Sequence, residues 1–148
     1  MAASFYGHYT ITKLLLEKGA NIDAKDRHLR TPLGQATIRL HYATIQLLHE
    51  KDSDTNCIDT DADTPLVLAI EKGHNILLKL LLDKGASVEY PNGNSEAPLI
   101  VAAQSGYDNI VRQLLEKGVS VVLEDIFGQT AMVCVVENAH EVKVNLLR

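Results

Sequence analysis

Apolar residues recur three and four positions apart in short segments of the chain, and polar stretches separate these segments. The clearest segments are Ile11 to Ala20, Leu77 to Ala86 and Ile110 to Val119, where this spacing produces one apolar face. Each segment contains Lys-Gly close to its end, and glycine readily adopts the left-handed conformation that terminates a helix. The pattern therefore predicts three short amphipathic helices of the same design.

A shorter apolar segment precedes two of these helices, at Leu66 to Ile70 and at Leu99 to Ala103. The first follows T-P-L at Thr64, where the threonine hydroxyl can cap a helix and the proline suits the first helical position. Gly73 and Gly106 lie just beyond these segments and are suited to end them. We therefore predict pairs of helices, each pair introduced by a polar loop.

The helix pairs form a repeat. The sequence T-P-L at Thr31 returns at Thr64, as A-P-L at Ala97 and as T-A-M at Thr130, with a step of 33 residues. A second column with the same step carries a His or Tyr at positions 8, 41, 74, 107 and 140. Two columns with one period indicate a single supersecondary unit copied along the chain. We predict one domain with units at residues 1–25, 26–58, 59–91, 92–124 and 125–148, of which the first lacks its turn and the last is truncated.

Composition and charge narrow the class of protein. The chain has 148 residues, 46% of them hydrophobic and 22% charged, which is typical of a globular domain. A net charge of −5 lacks the basic footprint of a nucleic-acid-binding protein. No apolar run approaches the roughly 18 residues that cross a bilayer, and the N-terminus does not resemble a secretion signal. With Cys57 and Cys134 too few for a disulfide framework, we expect an intracellular protein, cytoplasmic or nuclear, with no nucleic-acid or membrane partner.

Candidate chemistry is sparse. His8, His41, His74 and His140 share one column of the repeat, and equivalent positions on stacked helices lie roughly 8–10 Å apart, too far for one metal ion. The run from Asp59 to Asp63 resembles the start of a calcium loop, but Thr64 and Ile70 stand where that loop needs glycine and glutamate. No phosphate-binding, nucleophile-elbow or zinc-protease motif occurs. We therefore expect no enzymatic activity, cofactor, metal or small-molecule ligand.

The repeat resembles that of the ankyrin family. The pattern D-x-x-G-x-T-P-L, then A-A-x-x-G-H-x-x-I-V-x-L-L-L-x-x-G-A, can be followed in five units from Ala2 to Arg148. The resemblance implies an all-α solenoid of stacked antiparallel helix pairs with β-hairpin finger loops. The histidine that follows T-P-L in the family is replaced by Gly34, Val67, Ile100 and Val133, which predicts loss of its bond to the threonine.

The second unit departs most from the family pattern. Leu40 and Asp52 stand where the family has glycine at the ends of the two helices. A non-glycine residue held at positive φ costs on the order of 1 kcal/mol. We predict that this unit is the weakest layer of the stack.

The resemblance also implies a binding surface, formed by the finger tips and the exposed faces of the first helices along a concave groove. The corresponding residues, unit by unit, are Phe5 and Tyr6; Arg27, His28, Arg30, Ile38 and Arg39; Thr60, Asp61, Asp63, Glu71 and Lys72; Gly93, Asn94, Glu96, Gln104 and Ser105; and Ile126, Phe127, Gln129, Glu137 and Asn138. The surface is aromatic at one end, then basic, then acidic, and ends with an apolar tip.

Arginine and aromatic side chains tend to dominate interface energetics, so this surface favours a protein partner. Two interpretations stay open at several positions. The charges either contact a partner or form a solvated face. Ile126 with Phe127 is either a binding hot spot or an apolar tip in which Phe127 folds onto the neighbouring finger, and Phe5 with Tyr6 either binds or shields the first layer.

The leading hypothesis is a non-enzymatic module, expected to be a monomer, that binds a partner protein. The alternative is a targeting or inhibitory ankyrin segment of a larger enzyme or receptor. Asn56 resembles the asparagine that protein hydroxylases modify in some family members, although the preceding D-S-D-T departs from the usual sequence.

Overall fold

The structure, a computed structural model, describes residues 1–137. Its helices are α1 (Ala2–Phe5), α2 (Tyr9–Glu17), α3 (Pro32–Ile38), α4 (Tyr42–Glu50), α5 (Pro65–Glu71), α6 (Asn75–Asp83), α7 (Pro98–Ser105), α8 (Asp108–Glu116) and α9 (Ala131–Glu137). Helix pairs recur in step with the sequence repeat, and the predicted all-α repeat fold is confirmed. The second half of the last unit, including Asn138, His140 and Arg148, lies outside the described residues.

The predicted capping threonines precede the first helix of three units, α3, α5 and α9. The Thr31 hydroxyl accepts a hydrogen bond from the Gly34 N–H, and the Thr64 hydroxyl accepts one from the Val67 N–H, both at 3.2 Å. Thr130 makes the equivalent bond in the last unit, whereas Ala97 has no side chain with which to cap α7. Each of these threonines therefore bonds to the main chain of its own helix. These bonds form although the histidine that follows T-P-L in the family is replaced here.

Glycine ends most of the second helices, as the sequence predicts. Gly19, Gly85 and Gly118 have φ angles of +84°, +84° and +79° and follow the last residues of α2, α6 and α8. The left-handed conformation there lets the chain leave the helix without a Cβ clash. The polar loops that lead into the next units begin at these points.

The helices form two rows. In the first-helix row, α1, α3, α5, α7 and α9 contact one another in sequence; in the second-helix row, α2 contacts α4 and α6 contacts α8. The core between the rows is aliphatic and includes Leu33, Leu66, Leu81 and Leu114, each fully buried. Burial of such a side chain contributes about 1.5–3 kcal/mol, so consecutive layers stabilise each other. Cys134 is 2% exposed within this core, as its place in the repeat predicts.

The predicted β-hairpin fingers are not confirmed. No strand forms within residues 1–137, where the finger loops close as turns, and a single isolated bridge joins Glu124 and Thr130. The extended residues on either side of each turn are too few to build a ladder.

The recurrent His or Tyr column ties neighbouring units together. The His41 Nε2–H donates to the Phe5 carbonyl at 2.9 Å, and the Tyr107 hydroxyl donates to the Glu71 carbonyl at 3.5 Å. Both rings lie against glycines, since a Cβ added to Gly7 or Gly73 would meet the rings of His41 and Tyr107. The predicted structural role of the column is therefore seen at these two junctions, where the acceptor is the end of the preceding first helix.

The second unit lacks several of these stabilising features. Leu40 and Asp52 have φ angles of +60° and +59°, so the predicted positive φ at both positions is confirmed. Gly7 and Gly73 leave room for a ring from the next unit, whereas Leu40, at the equivalent position, carries a side chain. His74 is the corresponding ring residue of the next unit, and it makes no equivalent bond to a described residue.

Buried polar atoms that form no hydrogen bond within the described residues also concentrate in the second unit, at Gln35, Thr37, Thr44, His49 and Ser53. Burial lowers the pKa of His49, with a smaller contribution from the charge of Lys84.

We predict that the second unit opens before its neighbours. Amides of α4 should exchange with solvent faster than the equivalent amides of α6 and α8, and Asp52→Gly should slow that exchange by stabilising the unit by about 1 kcal/mol, because the exposed Asp52 side chain is held at positive φ. Native-state hydrogen exchange measures both effects, with α6 and α8 as internal controls. If the α4 amides prove to be the best protected in the chain, this interpretation of the second unit is wrong.

Candidate protein-binding surface

One hydrogen-bonding device shapes the loop before each first helix from α3 onward. We call these loops the tip turns, residues 26–30, 59–63, 92–96 and 125–129. In each, the side chain of the first residue accepts hydrogen bonds from the main-chain N–H groups two and four residues later. These accepting residues are Asp26, Asp59, Asn92 and Asp125. In the last turn, Asp125 Oδ1 accepts from Phe127 at 2.8 Å and from Gln129 at 2.9 Å. The side chain thus satisfies main-chain donors that a hairpin ladder would otherwise use.

The fourth residue of each tip turn has a left-handed backbone. Leu29, Ala62, Ser95 and Gly128 have φ angles of +57°, +61°, +60° and +73°. Only the last of them is glycine, so three of the turns hold a strained residue in place. The organising Asp or Asn is absent from the predicted surface, although its 33-residue recurrence in the sequence is a signal that could have revealed it.

Asp59 shows why the calcium-like run is structural. Its side chain is almost fully buried, and its carboxylate accepts bonds from the Asp61 N–H, the Asp63 N–H and the Arg30 side chain. Within residues 1–137, no group of three or more His, Cys, Asp and Glu side chains is placed to hold a metal ion. The run therefore forms a tip turn with an acidic outer side.

At the aromatic end of the surface, Arg39 lies over Phe5. The Arg39 guanidinium carbon is 4.4 Å from the centre of the Phe5 ring, and Tyr6 meets that ring edge-on at 4.9 Å. Tyr6 also stacks with His8 and exposes 64% of its surface. With so much of its surface open, Tyr6 does little to shield the first layer.

In the basic stretch, some of the charge is already compensated. Arg30 forms ion pairs with Asp59 at 3.2 Å and with Asp61 at 3.6 Å, which joins the first tip turn to the second. Arg27 donates to the exposed His28 ring at 3.1 Å. Arg30 in the basic stretch and Asp61 in the acidic stretch therefore compensate each other's charge across one unit boundary.

The acidic stretch brings five carboxylates, those of Asp59, Asp61, Asp63, Glu71 and Glu96, into electrostatic contact. Burial raises the pKa of Asp63 to about 6, helped by the negative charges of Glu71, Asp59 and Asp61 and opposed by the Gly93 N–H. Burial also raises the pKa of Glu71, with Glu96 adding to the rise and Lys72 opposing it. The ionised forms of Asp63 and Glu71 are thus disfavoured in the folded protein.

The last two units present amide and apolar groups. Gln104 donates to the Cys134 sulfur at 3.8 Å, and that thiol donates to Gln129 at the same distance. Asn94 is exposed on its tip turn. Toward the other end of the surface, Ile38 is half-buried on α3. Ile126 and Phe127 expose 65% and 80% of their surfaces, so Phe127 does not fold onto the neighbouring turn.

Asn56 ties one inter-unit loop to the next. Its side-chain oxygen accepts the Ser87 N–H at 2.7 Å, and the Asp23 carboxylate makes the equivalent bond to the Asp54 N–H one unit earlier. The structure thus gives Asn56 a position between loops, away from the tip turns. Modification of this residue stays a prediction.

Comparison with known families accounts for most of the chain. A family model described as ankyrin repeats in three copies matches residues 33–125, and a second, described as ankyrin repeats in many copies, matches residues 1–49. No curated protein sequence matches the chain. None of the described helices is both long enough and apolar enough to cross a membrane. The matched span, the 33-residue period and the paired helices agree, and the chain belongs to the ankyrin-repeat family.

Proposed function

We propose that this chain is a non-enzymatic protein-interaction module, acting as a monomer, that holds a partner protein along its tip turns and the exposed faces of its first helices. Ankyrin repeats are generally protein–protein interaction modules. In this proposal the stacked pairs form a solenoid whose first-helix row and tip turns line a concave groove. The observation that carries it is the exposure of Ile126 and Phe127 at a tip turn.

The exposure of these two side chains is informative because their turn is well ordered by local bonds. Asp125 holds the turn through the amides of Phe127 and Gln129, and the Asp125 N–H also donates to the Gln129 carbonyl at 3.0 Å. The apolar side chains are thus presented on a fixed backbone. Association with such a surface loses little extra conformational entropy, and clustered exposed apolar groups favour a protein partner.

The acidic stretch supports a partner with a basic group. Burial raises the pKa of both Asp63 and Glu71, and neighbouring negative charge adds to the rise, from Glu71 at Asp63 and from Glu96 at Glu71. Keeping these groups ionised near neutral pH costs folding free energy, and a basic side chain of a partner would relieve that repulsion. Asp59 and Asp61 contribute less because Arg30 already compensates them.

The test is capture of the partner by a tip-turn variant. Ile126→Ser with Phe127→Ser should reduce capture of a specific protein from native extract at least tenfold, which corresponds to the roughly 1.4 kcal/mol or more of a binding hot spot. Quantitative affinity capture gives the ratio. Thermal unfolding should change little, because both side chains are largely exposed.

Ile76→Ser is the matched control. Ile76 is 75% exposed but lies on α6, in the second-helix row. Its replacement should leave specific capture unchanged. Equal loss of captured protein with Ile76→Ser and with the tip-turn variant would indicate general apolar adhesion and would contradict the proposal.

A further inference from the structure

Arg39 differs from the other arginines of the proposed surface in having no ionic or hydrogen-bonding partner among residues 1–137. Arg30 is engaged by Asp59 and Asp61, and Arg27 donates to His28. Arg39 makes neither a hydrogen bond nor an ion pair with any described residue, and its guanidinium lies over the Phe5 ring. Its N–H groups are therefore available to an external acceptor.

The aromatic residue beneath Arg39 is anchored through its main chain. The His41 Nε2–H donates to the Phe5 carbonyl at 2.9 Å, which links the aromatic residue beneath Arg39 to the start of α4. Phe5, Tyr6, Arg39 and His41 together line an open surface pocket. A planar guanidinium stacked on an aromatic ring keeps its edge free, and that edge matches the two oxygens of a carboxylate.

We propose that Arg39, with Phe5 and Tyr6, forms a subsite for a partner's Asp or Glu side chain that stands next to an apolar residue. The inference rests on the proposed function and specifies the partner's chemistry at the first-unit end of the surface. The carboxylate pairs with Arg39, and the adjacent apolar side chain packs against the exposed part of Tyr6. Charge complementarity favours this occupant because no described carboxylate lies within ion-pair distance of Arg39.

A protein carboxylate is a better match here than a nucleic-acid phosphate. The protein has a net charge of −5, and the acidic residues Asp61, Asp63 and Glu71 follow along the same surface. A polyanionic backbone crossing that surface would be repelled, since nucleic-acid affinity depends on many basic contacts. A single acidic side chain needs only the local site.

The test uses two synthetic octapeptides, each with an N-terminal fluorescein and a C-terminal amide, in which two phenylalanines are flanked on each side either by three glutamates or by three glutamines. The glutamate peptide should bind the wild-type chain more tightly. Arg39→Met should weaken its binding at least fivefold without affecting the glutamine peptide, and Arg39→Lys should fall between, because lysine keeps the charge but loses the planar fork. Arg112→Met, which removes the same charge from the exposed surface of α8, should change affinity less than twofold.

Fluorescence anisotropy gives the affinities, and circular dichroism verifies that each variant is folded. Equal binding of the two peptides, or equal losses for Arg39→Met and Arg112→Met, would overturn the proposal. So would a short oligothymidylate that binds as tightly as the glutamate peptide and depends equally on Arg39. Should Arg39→Met fail to fold, Arg39→Lys alone decides the matter. Failure here, with specific capture through Ile126 and Phe127 intact, would leave the proposed function standing.

Discussion

Replacement of Gly93 by alanine is expected to lower the free energy of unfolding by about 3 kcal/mol, at the upper end of the cost of overpacking. A Cβ at this position would overlap the carbonyl oxygen of Asp61 in the preceding tip turn. The obstacle is main chain, which cannot move aside as a flexible side chain could. The Asp61 N–H is bonded to Asp59, and the neighbouring Thr60 N–H donates to the His28 carbonyl at 3.0 Å, so the turn is fixed on both sides.

Gly34→Ala is the control for this prediction. Gly34 lies inside α3, and the nearest atom to an added Cβ is the Thr31 hydroxyl oxygen at 3.8 Å, an ordinary contact. Alanine there should stabilise the helix by up to about 1 kcal/mol. Urea denaturation of both variants should therefore give changes of opposite sign. A loss of less than about 0.5 kcal/mol for Gly93→Ala would show that the two tip turns do not pack as described.

Replacement of Asp59 by alanine should also destabilise the protein, by about 3 kcal/mol. The change removes the acceptor of the Asp61 and Asp63 N–H groups, at 2.9 and 3.1 Å, together with the ion pair to Arg30. Asp59 is only 7% exposed, so water cannot fully replace these bonds. The second tip turn should lose its geometry, which urea denaturation would register as a shifted midpoint.

Two further variants separate the functions of the Asp59 side chain. Asp59→Asn keeps a side-chain oxygen that can accept both N–H groups and loses the charge, an arrangement that the chain itself uses at Asn92 in the next tip turn, so it should cost much less than alanine. Asp61→Ala removes the exposed partner of Arg30 and should change stability little. Equal losses for Asp59→Ala and Asp61→Ala would contradict the view that Asp59 organises the turn.

Much of the fold could be predicted because the repeat places local signals in fixed columns. The threonine caps, the glycines after α2, α6 and α8, and the positive φ at Leu40 and Asp52 each depend on one or two neighbouring residues. The repeat also ties each residue to its counterpart in the next unit, which favoured a structural role for the His and Tyr column. Local backbone features that recur with the 33-residue period can therefore be predicted from the sequence.

The β-hairpin fingers could not be judged in the same way. Whether a loop forms strands depends on which acceptor captures its amides, and in the tip turns Asp26, Asp59, Asn92 and Asp125 capture two each. The recurrence of these side chains is visible in the sequence, but their hydrogen bonds are not. A family resemblance supplies an expected geometry without showing the competing bonds.

The pairing of surface charges could not be predicted from the sequence either. Arg30 and Asp61 belong to adjacent tip turns, and the distance between their side chains depends on rotamers and on the spacing of the units. The same holds for Arg39, which stacks on Phe5 although the two residues belong to different units. Which residues line the binding surface stays a prediction from the sequence, whereas the structure shows which of their charges pair with other described residues.

The central claim is that a partner protein binds the tip turns and the first-helix row. Hydrogen–deuterium exchange of the chain alone and in complex with its captured partner tests this most directly. We expect slower exchange in the tip turns at residues 59–63, 92–96 and 125–129 and in the exposed faces of α3, α5 and α7, with α2, α4, α6 and α8 unchanged. Protection confined to the second-helix row, with the tip turns exchanging as in the free chain, would contradict the claim.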